Sequence, residues 1–276
     1  MNKKISWVKV FFIVLLLIWT LFPIYWMFSL AIRNTEELHS SIPLFPHSFT
    51  MEHFKVLFAE KGFGRALVNS LEITGISLFF SLTMGLGTAY ILSRQRLKIH
   101  GSDATLFWIL LVRILPPIAF AIPLYLMMTR LGLIKTKIPI TMAHIMINIA
   151  FIIWFMITFF LSLSEEVEES ARIDGASEWQ LFTKIVLPLV MPGIASVAIL
   201  SFMTSWNEYL YGVIFIQSPN NYTIPLLLST MNSEQELTQY GTIAAGGVIS
   251  LIPIMLFVIF AQNYLISGLS AGAVKE

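Results

Sequence analysis

The chain contains no cysteine. That absence removes a disulfide framework, a thiolate metal site and a cysteine nucleophile together. Charge is scarce as well: Asp, Glu, Lys and Arg make up 12% of the 276 residues, where a soluble domain carries about 25%. The net charge of +1 offers no pull on nucleic acid or on an acidic ligand. There is no Gly-x-x-x-x-Gly-Lys-Ser/Thr loop to cradle a nucleotide's phosphates and no His-Glu-x-x-His helix to hold a metal. The chain is therefore not its own ATPase, it needs no cofactor or metal of its own, and a metallohydrolase has no support.

Apolar length fills the space that charge leaves. Hydrophobic residues reach 57%, with 22 Phe, 13 Met and 7 Trp. In water that much large apolar surface would expose adhesive patches, so lipid is the expected solvent. Crossing a hydrocarbon core of ~30 Å takes about 20 apolar residues in a helix. Six segments meet that length: Trp7–Ala31, Ala66–Leu92, Ala104–Met128, Ile138–Leu163, Leu189–Ile216 and Gly241–Ile266. Lys3, Lys4 and Lys9 precede the first, as in a secretory signal, but the run Val10–Leu30 is too long and lacks a small-x-small cleavage site. It is read as an uncleaved span. The expectation is an all-α, polytopic membrane protein with six transmembrane helices and a single domain over residues 1–276, without internal repeats.

The short loops set the orientation. The turn with Arg94, Arg96 and Lys98 is basic, and the loop from Gln217 to Tyr240 has no Lys or Arg. The positive-inside rule then places both termini in the cytoplasm.

Between the fourth and fifth spans, about residues 164–186, the sequence describes an elbow. Ser162 and Glu165 are spaced as a capping box, and Ser177 and Gln180 as a second one. Glu165, Glu166, Glu168 and Glu169 crowd the first turns, where the helix dipole favours negative charge. Gly175 sits where a C-cap glycine ends a helix, with φ > 0 expected. Pro188 and Pro192 mark the exit into the next span. Ala171 and Ala176 keep one surface small, while Phe182 and Ile185 offer apolar anchors, to the bundle or to a partner.

The full string, Glu169-Ser170-Ala171-Arg172-Ile173-Asp174-Gly175-Ala176-Ser177 followed by Phe182, Ile185, Leu187 and Pro188, resembles the EAA signature of ABC-importer permeases. Ser170 stands where that signature usually has Ala; both are small. The Asp174-Gly175-Ala176 variant is similar to the sugar-importing, maltose-type branch. So are Arg113 with Pro116, Pro117 and Pro123, the run Ser205-Trp206-Asn207-Glu208, and the ending from Tyr264 to Lys275. The resemblance implies a type I ABC-importer permease fold, forming half of the translocation pathway. The elbow would couple it to an ATPase through Glu169, Ser170, Ala171, Asp174, Gly175, Ala176, Phe182 and Pro188. The cytoplasmic tail, about 267–276, would contact the ATPase pair through Gly268, Ala271, Gly272 and Lys275. The implied partners are a second, homologous permease subunit, two cytoplasmic ATPase subunits that bind ATP and Mg, an extracytoplasmic solute-binding protein, and lipid. The implied location is the bacterial or archaeal inner membrane. A phosphorylated polyol or another non-sugar solute would suit the same fold.

Ionisable groups inside a span are functional candidates, because burying them is costly unless they are paired or wet. Glu72, Arg113, His144 and Glu208 qualify. In the fifth span Ser201, Thr204, Ser205, Glu208 and Gly212 recur at helical spacing. Asn207 lies beside this stripe, and Trp206 and Tyr209 have flat faces that suit a sugar ring. Ser205, Trp206, Asn207 and Glu208, with Asn148 and Glu72, form the expected substrate pathway. The same polar residues would equally serve as interhelical bonds. A proton-coupled secondary transporter using Glu72, His144 and Glu208, or an intramembrane enzyme, is the competing reading. The first of these expects inverted repeats with broken helices, which the sequence does not display.

Overall fold

The computed structural model describes residues 7–39, 42–94, 102–231 and 238–273, with the side chains of residues 102, 103, 110, 113, 238, 239 and 261 and those beyond Gln262 excepted. Every regular element among the described residues is a helix. Water is absent from the bilayer core, so each backbone N–H and C=O must be satisfied within its own segment, and helices do this.

Four of the six expected spans are single helices: α1 (Trp7–Ile32), α4 (Phe63–Ser93), α7 (Ile138–Leu161) and the last, α14 (Thr238–Ala273). Two short helices, α2 (Thr35–His39) and α3 (Glu52–Ala59), fill the connection after α1. The third span differs from expectation. It is two helices, α5 (Ser102–Ile114) and α6 (Pro117–Arg130), parted at Leu115 and Pro116. Proline lacks an N–H and pushes its predecessor out of the helical region, so two consecutive prolines end one helix while Pro117 begins the next.

The fifth span is also broken. It follows α8 (Glu165–Ile173), α9 (Glu178–Gln180), a π-helical stretch at Leu181–Val186 and α10 (Leu187–Leu189), and it comprises α11 (Met191–Trp206) and α12 (Leu210–Phe215). Residues 207–209 lie outside any helix. The stripe expected as one continuous helical face therefore spans a break: Ser201, Thr204 and Ser205 lie on α11, Glu208 in the break and Gly212 on α12. A last helix, α13 (Ile224–Met231), precedes α14.

The packing is centred on α4 against α7, the most extensive helix pair, with α11 against both and α14 against α1 and α11. Small residues permit this approach, as membrane helix interfaces require. A Cβ on Gly85 of α4 would stand 2.7 Å from Ile152 Cγ2 of α7. Three apolar clusters result. One lies at the elbow end, around Leu86, Tyr90, Ile152, Met156 and Phe160; one lies between α4, α11 and α14; the third joins α4, α6, α7 and α12. The spanning stretch of α1 is apolar and unburied in the single chain.

The end opposite the elbow is fixed by polar contacts. Arg33, fully buried, donates to Ser29 Oγ, to Glu37 at 3.0 Å and to the Pro43 carbonyl, and lies over the Trp26 ring. His53 of α3 is buried between α1 and α14: Nε2 lies 2.9 Å from the Arg33 carbonyl, which needs a proton on that nitrogen, and Nδ1 lies 3.4 Å from Thr242 Oγ1. Burial pushes the His53 imidazole below its ordinary range, against the upward pull of the Arg33 carbonyl and Glu52. An unfolded chain would take up the proton first, at about pH 6.5. The stabilisation is thus complete above that value and lost as pH falls through the lower folded-state value. Thermal unfolding in nanodiscs is expected to move to lower temperature between pH 7.5 and pH 5.5, and His53→Gln should shrink that difference; an unchanged difference would show that His53 does not carry it.

Candidate functional site

The elbow begins at Ser164, whose hydroxyl accepts from Glu166 N at 3.2 Å. The cap is thus two residues later than the Ser162 spacing suggested; Ser162 Oγ instead donates back to the Phe159 carbonyl. Three glutamates occupy the first turn of α8. The helix closes as a Schellman motif: Ala176 N donates to Ala171 O and Gly175 N to Arg172 O, both at 3.0 Å. Gly175 has φ 88°, as expected. The second arm opens on the expected capping box, in which Ser177 Oγ and Gln180 Oε1 each accept from the other's backbone N–H. It runs to Leu189 and meets α11 at a 77° bend. The π-helical stretch stands just ahead of Pro188; such insertions are frequent at functional sites.

The arms present two distinct faces. Toward the bundle, Ala171, Leu181 and Val186 are buried, and Ala176, Phe182, Ile185 and Leu187 pack against the same cluster. The Phe182 ring lies 5.0 Å from that of Tyr90, so this anchor serves the bundle. Away from it, Glu169, Ser170, Asp174, Gly175 and Pro188 are exposed. Two large apolar side chains, Ile173 at 87% and Trp179 at 72% exposure, project on either side of the Gly175 turn.

Glu168 is the residue that the sequence reading did not single out. It is 2% exposed. Oε1 accepts from Arg94 Nε at 2.7 Å; Arg94 Nη2 is as close to it, a charge contact without hydrogen-bond alignment. Oε2 accepts from Tyr90 Oη at 2.8 Å and from Arg172 Nη2 at 3.1 Å. Arg94 Nη1 continues to the Phe160 carbonyl at the end of α7, at 2.8 Å. Arg172 Nε bonds Glu178 across the Gly175 turn, and these partners hold its guanidinium above its usual range despite burial. One signal was legible: Glu168 lies three residues before Ala171 and shares its small, inward face.

A second polar group lies where α4, α7 and α11 meet. Asn148 and Ser205 are buried; Asn148 Nδ2 donates to Ser205 Oγ at 2.8 Å, and Ser77 Oγ lies 3.5 Å from the same hydroxyl. Ser201 is fully buried. Glu208, in the break, caps α12: Oε1 accepts from Tyr211 N at 2.7 Å and Oε2 from Gly212 N at 3.3 Å. Buried His144 stands 3.3 Å from Glu208 Oε2. Asn207 and Tyr209 are exposed. Trp206 is buried, stacked on Phe202, with Nε1 donating to the Ser250 carbonyl. Glu72 stands apart, 2.6 Å from Lys137 Nζ at the end opposite the elbow. The tail positions Gly268, Ala271 and Gly272 continue α14 as helix rather than forming a separate segment; Lys275 lies outside the described residues.

Residues 81–270 match the family model for the binding-protein-dependent transport system inner membrane component. The chain is 32% identical to the diacetylchitobiose uptake system permease protein DasC of Streptomyces coelicolor, over 95% of this chain and 94% of that one. It is 34% identical to the arabinooligosaccharides transport system permease protein AraQ of Halalkalibacterium halodurans, over 88% and 86%. In fold it is similar to a chain of a bacterial ABC transporter that imports the acidic polysaccharide alginate, with TM-score 0.78, 23% identity and coverage of 94% and 95%; a second structure of an alginate transporter, bound to its loaded periplasmic protein, gives 0.67 at 20% identity, with 93% of each chain covered. An all-helical chain with a type I importer permease fold, matched in this way over most of its length, belongs to the binding-protein-dependent transport system inner membrane component family, a family of multi-pass inner-membrane permeases.

Proposed function

We propose that this chain is the permease subunit of an ATP-driven importer for a sugar or oligosaccharide and lines half of the path. The observation that carries the reading is the elbow: a helix–glycine–helix unit, packed inward through Leu181 and Phe182, that leaves Ile173 and Trp179 exposed on its other face. Large exposed apolar groups flanked by charge are the usual anchors of a protein interface. The partner is a cytoplasmic ATPase pair that binds ATP and Mg, which puts the elbow and both termini inside. The sugar class follows the uptake systems for diacetylchitobiose and arabinooligosaccharides. An extracytoplasmic binding protein delivers it, as the alginate complex suggests. A second permease subunit and lipid cover the unburied stretch of α1.

In this reading ATP-driven closure of the ATPase pair pushes on the elbow, and the spans rock between two openings. The path borders the fifth-span break, with Asn207 and Glu208 beside it and Ser205 in the adjoining seam. A break in a membrane helix is tolerated where it lines a cavity or is buried in protein, and here Glu208 takes two of the freed N–H groups of α12, those of Tyr211 and Gly212.

Gly175→Val forces a β-branched residue into φ > 0, a strain of about 1–3 kcal/mol. The variant should insert normally, yet ATP hydrolysis by the assembled complex should lose its stimulation by loaded binding protein, read across a panel of neutral and acidic oligosaccharides. Normal stimulation would remove the elbow from the mechanism. Because the chain lacks Cys, single thiols report the path directly. Asn207→Cys should react with a hydrophilic maleimide throughout, and Ser205→Cys only when ATP and vanadate trap the complex; equal protection at both positions in every state would assign the seam to helix packing alone.

A further inference from the structure

We infer that Glu168 is the positioning residue through which the elbow grips the bundle: it fastens α8 to the ends of α4 and α7, so that these three move as one body while α11 turns against them at the bend after Leu189. The inference rests on reading the elbow as the part an ATPase pushes.

The two arms are attached in different ways. Along the second arm the contacts to the bundle are apolar, made by Leu181, Phe182 and Val186. Apolar contact is non-directional and tolerates sliding. The first arm adds to its one buried apolar contact, Ala171, directional and charge-assisted bonds that do not. Both oxygens of Glu168 are engaged: Oε1 by Arg94, and Oε2 by Tyr90 and Arg172. Tyr90 and Arg94 belong to the end of α4, and Arg94 reaches α7 through the Phe160 carbonyl. One buried carboxylate thus joins three helices.

Continuity of the chain points the other way. The second arm runs without a loop into α11 across a 77° bend. A push on the elbow therefore reaches α4 and α7 through Glu168, and α11 through the backbone. Arg172, bonded to Glu168 on one side and Glu178 on the other, keeps the two arms at a fixed angle across Gly175. The seam of Ser77, Asn148 and Ser205 lies between the α4–α7 pair and α11, so relative motion of the two bodies would open it.

The test uses the whole complex, chain and ATPase subunits together, in lipid nanodiscs. Spin labels at Ile91→Cys and Val167→Cys report α4 against α8; labels at Lys184→Cys and Leu200→Cys report the second arm against α11. In the native background, trapping with ATP and vanadate should leave the first distance narrow and shift the second. With Glu168→Gln the first distance should broaden on trapping by on the order of one helical turn, about 5 Å. The trapped-state labelling of Ser205→Cys should be lost, while the ATPase subunits still co-purify. Should Glu168→Gln fail to insert, Tyr90→Phe removes one donor and keeps the ring; a severalfold loss of trapped-state labelling at Ser205→Cys is expected there. An unchanged first distance in Glu168→Gln, or equal broadening of both pairs, would overturn the inference. Failure of the native chain to hold the ATPase subunits would instead overturn the coupling reading beneath it.

Discussion

Hydrocarbon cannot hydrogen-bond a peptide group, and the rest of this structure follows from that constraint. Every described element is helical, and each interruption of a helix inside the apolar region is accompanied by a substitute bond or by proline. At Pro116 and Pro117 an N–H is simply missing, so little is left unsatisfied. At the fifth-span break the Glu208 carboxylate takes the Tyr211 and Gly212 N–H groups in the first turn of α12 and stands beside His144. A carboxylate so engaged suits a broken helix whose exposed neighbours, Asn207 and Tyr209, face away from the core. Glu208 thus repairs the backbone at a break, and Asn148 joins α7 to α11 through Ser205.

At the elbow end the same economy takes an ionic form. Removing one member of a buried ion pair typically costs about 3–5 kcal/mol, because the other is left uncompensated. Arg94 and Glu168, 3% and 2% exposed, form such a pair with Tyr90 and Arg172 around it. The pair contributes direction more than net stability: it fixes how α8 sits on α4 and α7. Seated there, the elbow is rigid where it meets the bundle and exposed at Ile173 and Trp179 where it meets something else. A part that transmits force needs both properties.

Much of this was legible in the sequence, for identifiable reasons. Four spans, the Ser177–Gln180 box and the left-handed Gly175 are local features, set by residues within a few positions of one another. The cap at Ser164 was misplaced by two residues because Ser162 offers the same spacing to a glutamate, and only the backbone path chooses between them. The breaks in the third and fifth spans are masked by apolar composition: Pro116 and Pro117 are visible, but hydropathy joins the helices on either side, and the capping role of Glu208 exists only once the helix is broken. Glu168 was hidden among Glu165, Glu166 and Glu169. Its partners Tyr90 and Arg94 lie 78 and 74 residues earlier in the chain, and packing alone brings them together.

In the proposed reading a cytoplasmic ATPase meets this permease at the elbow. The most direct measurement is site-specific photocrosslinking. A benzophenone maleimide placed at Ile173→Cys or Trp179→Cys, in membranes holding the assembled transporter, should give covalent adducts with the ATPase subunits, identified by mass spectrometry. The same label at Phe107→Cys or Trp108→Cys, exposed on α5, should give none. Adducts with lipid or with the second permease alone from both elbow positions, and none with an ATPase, would contradict the account.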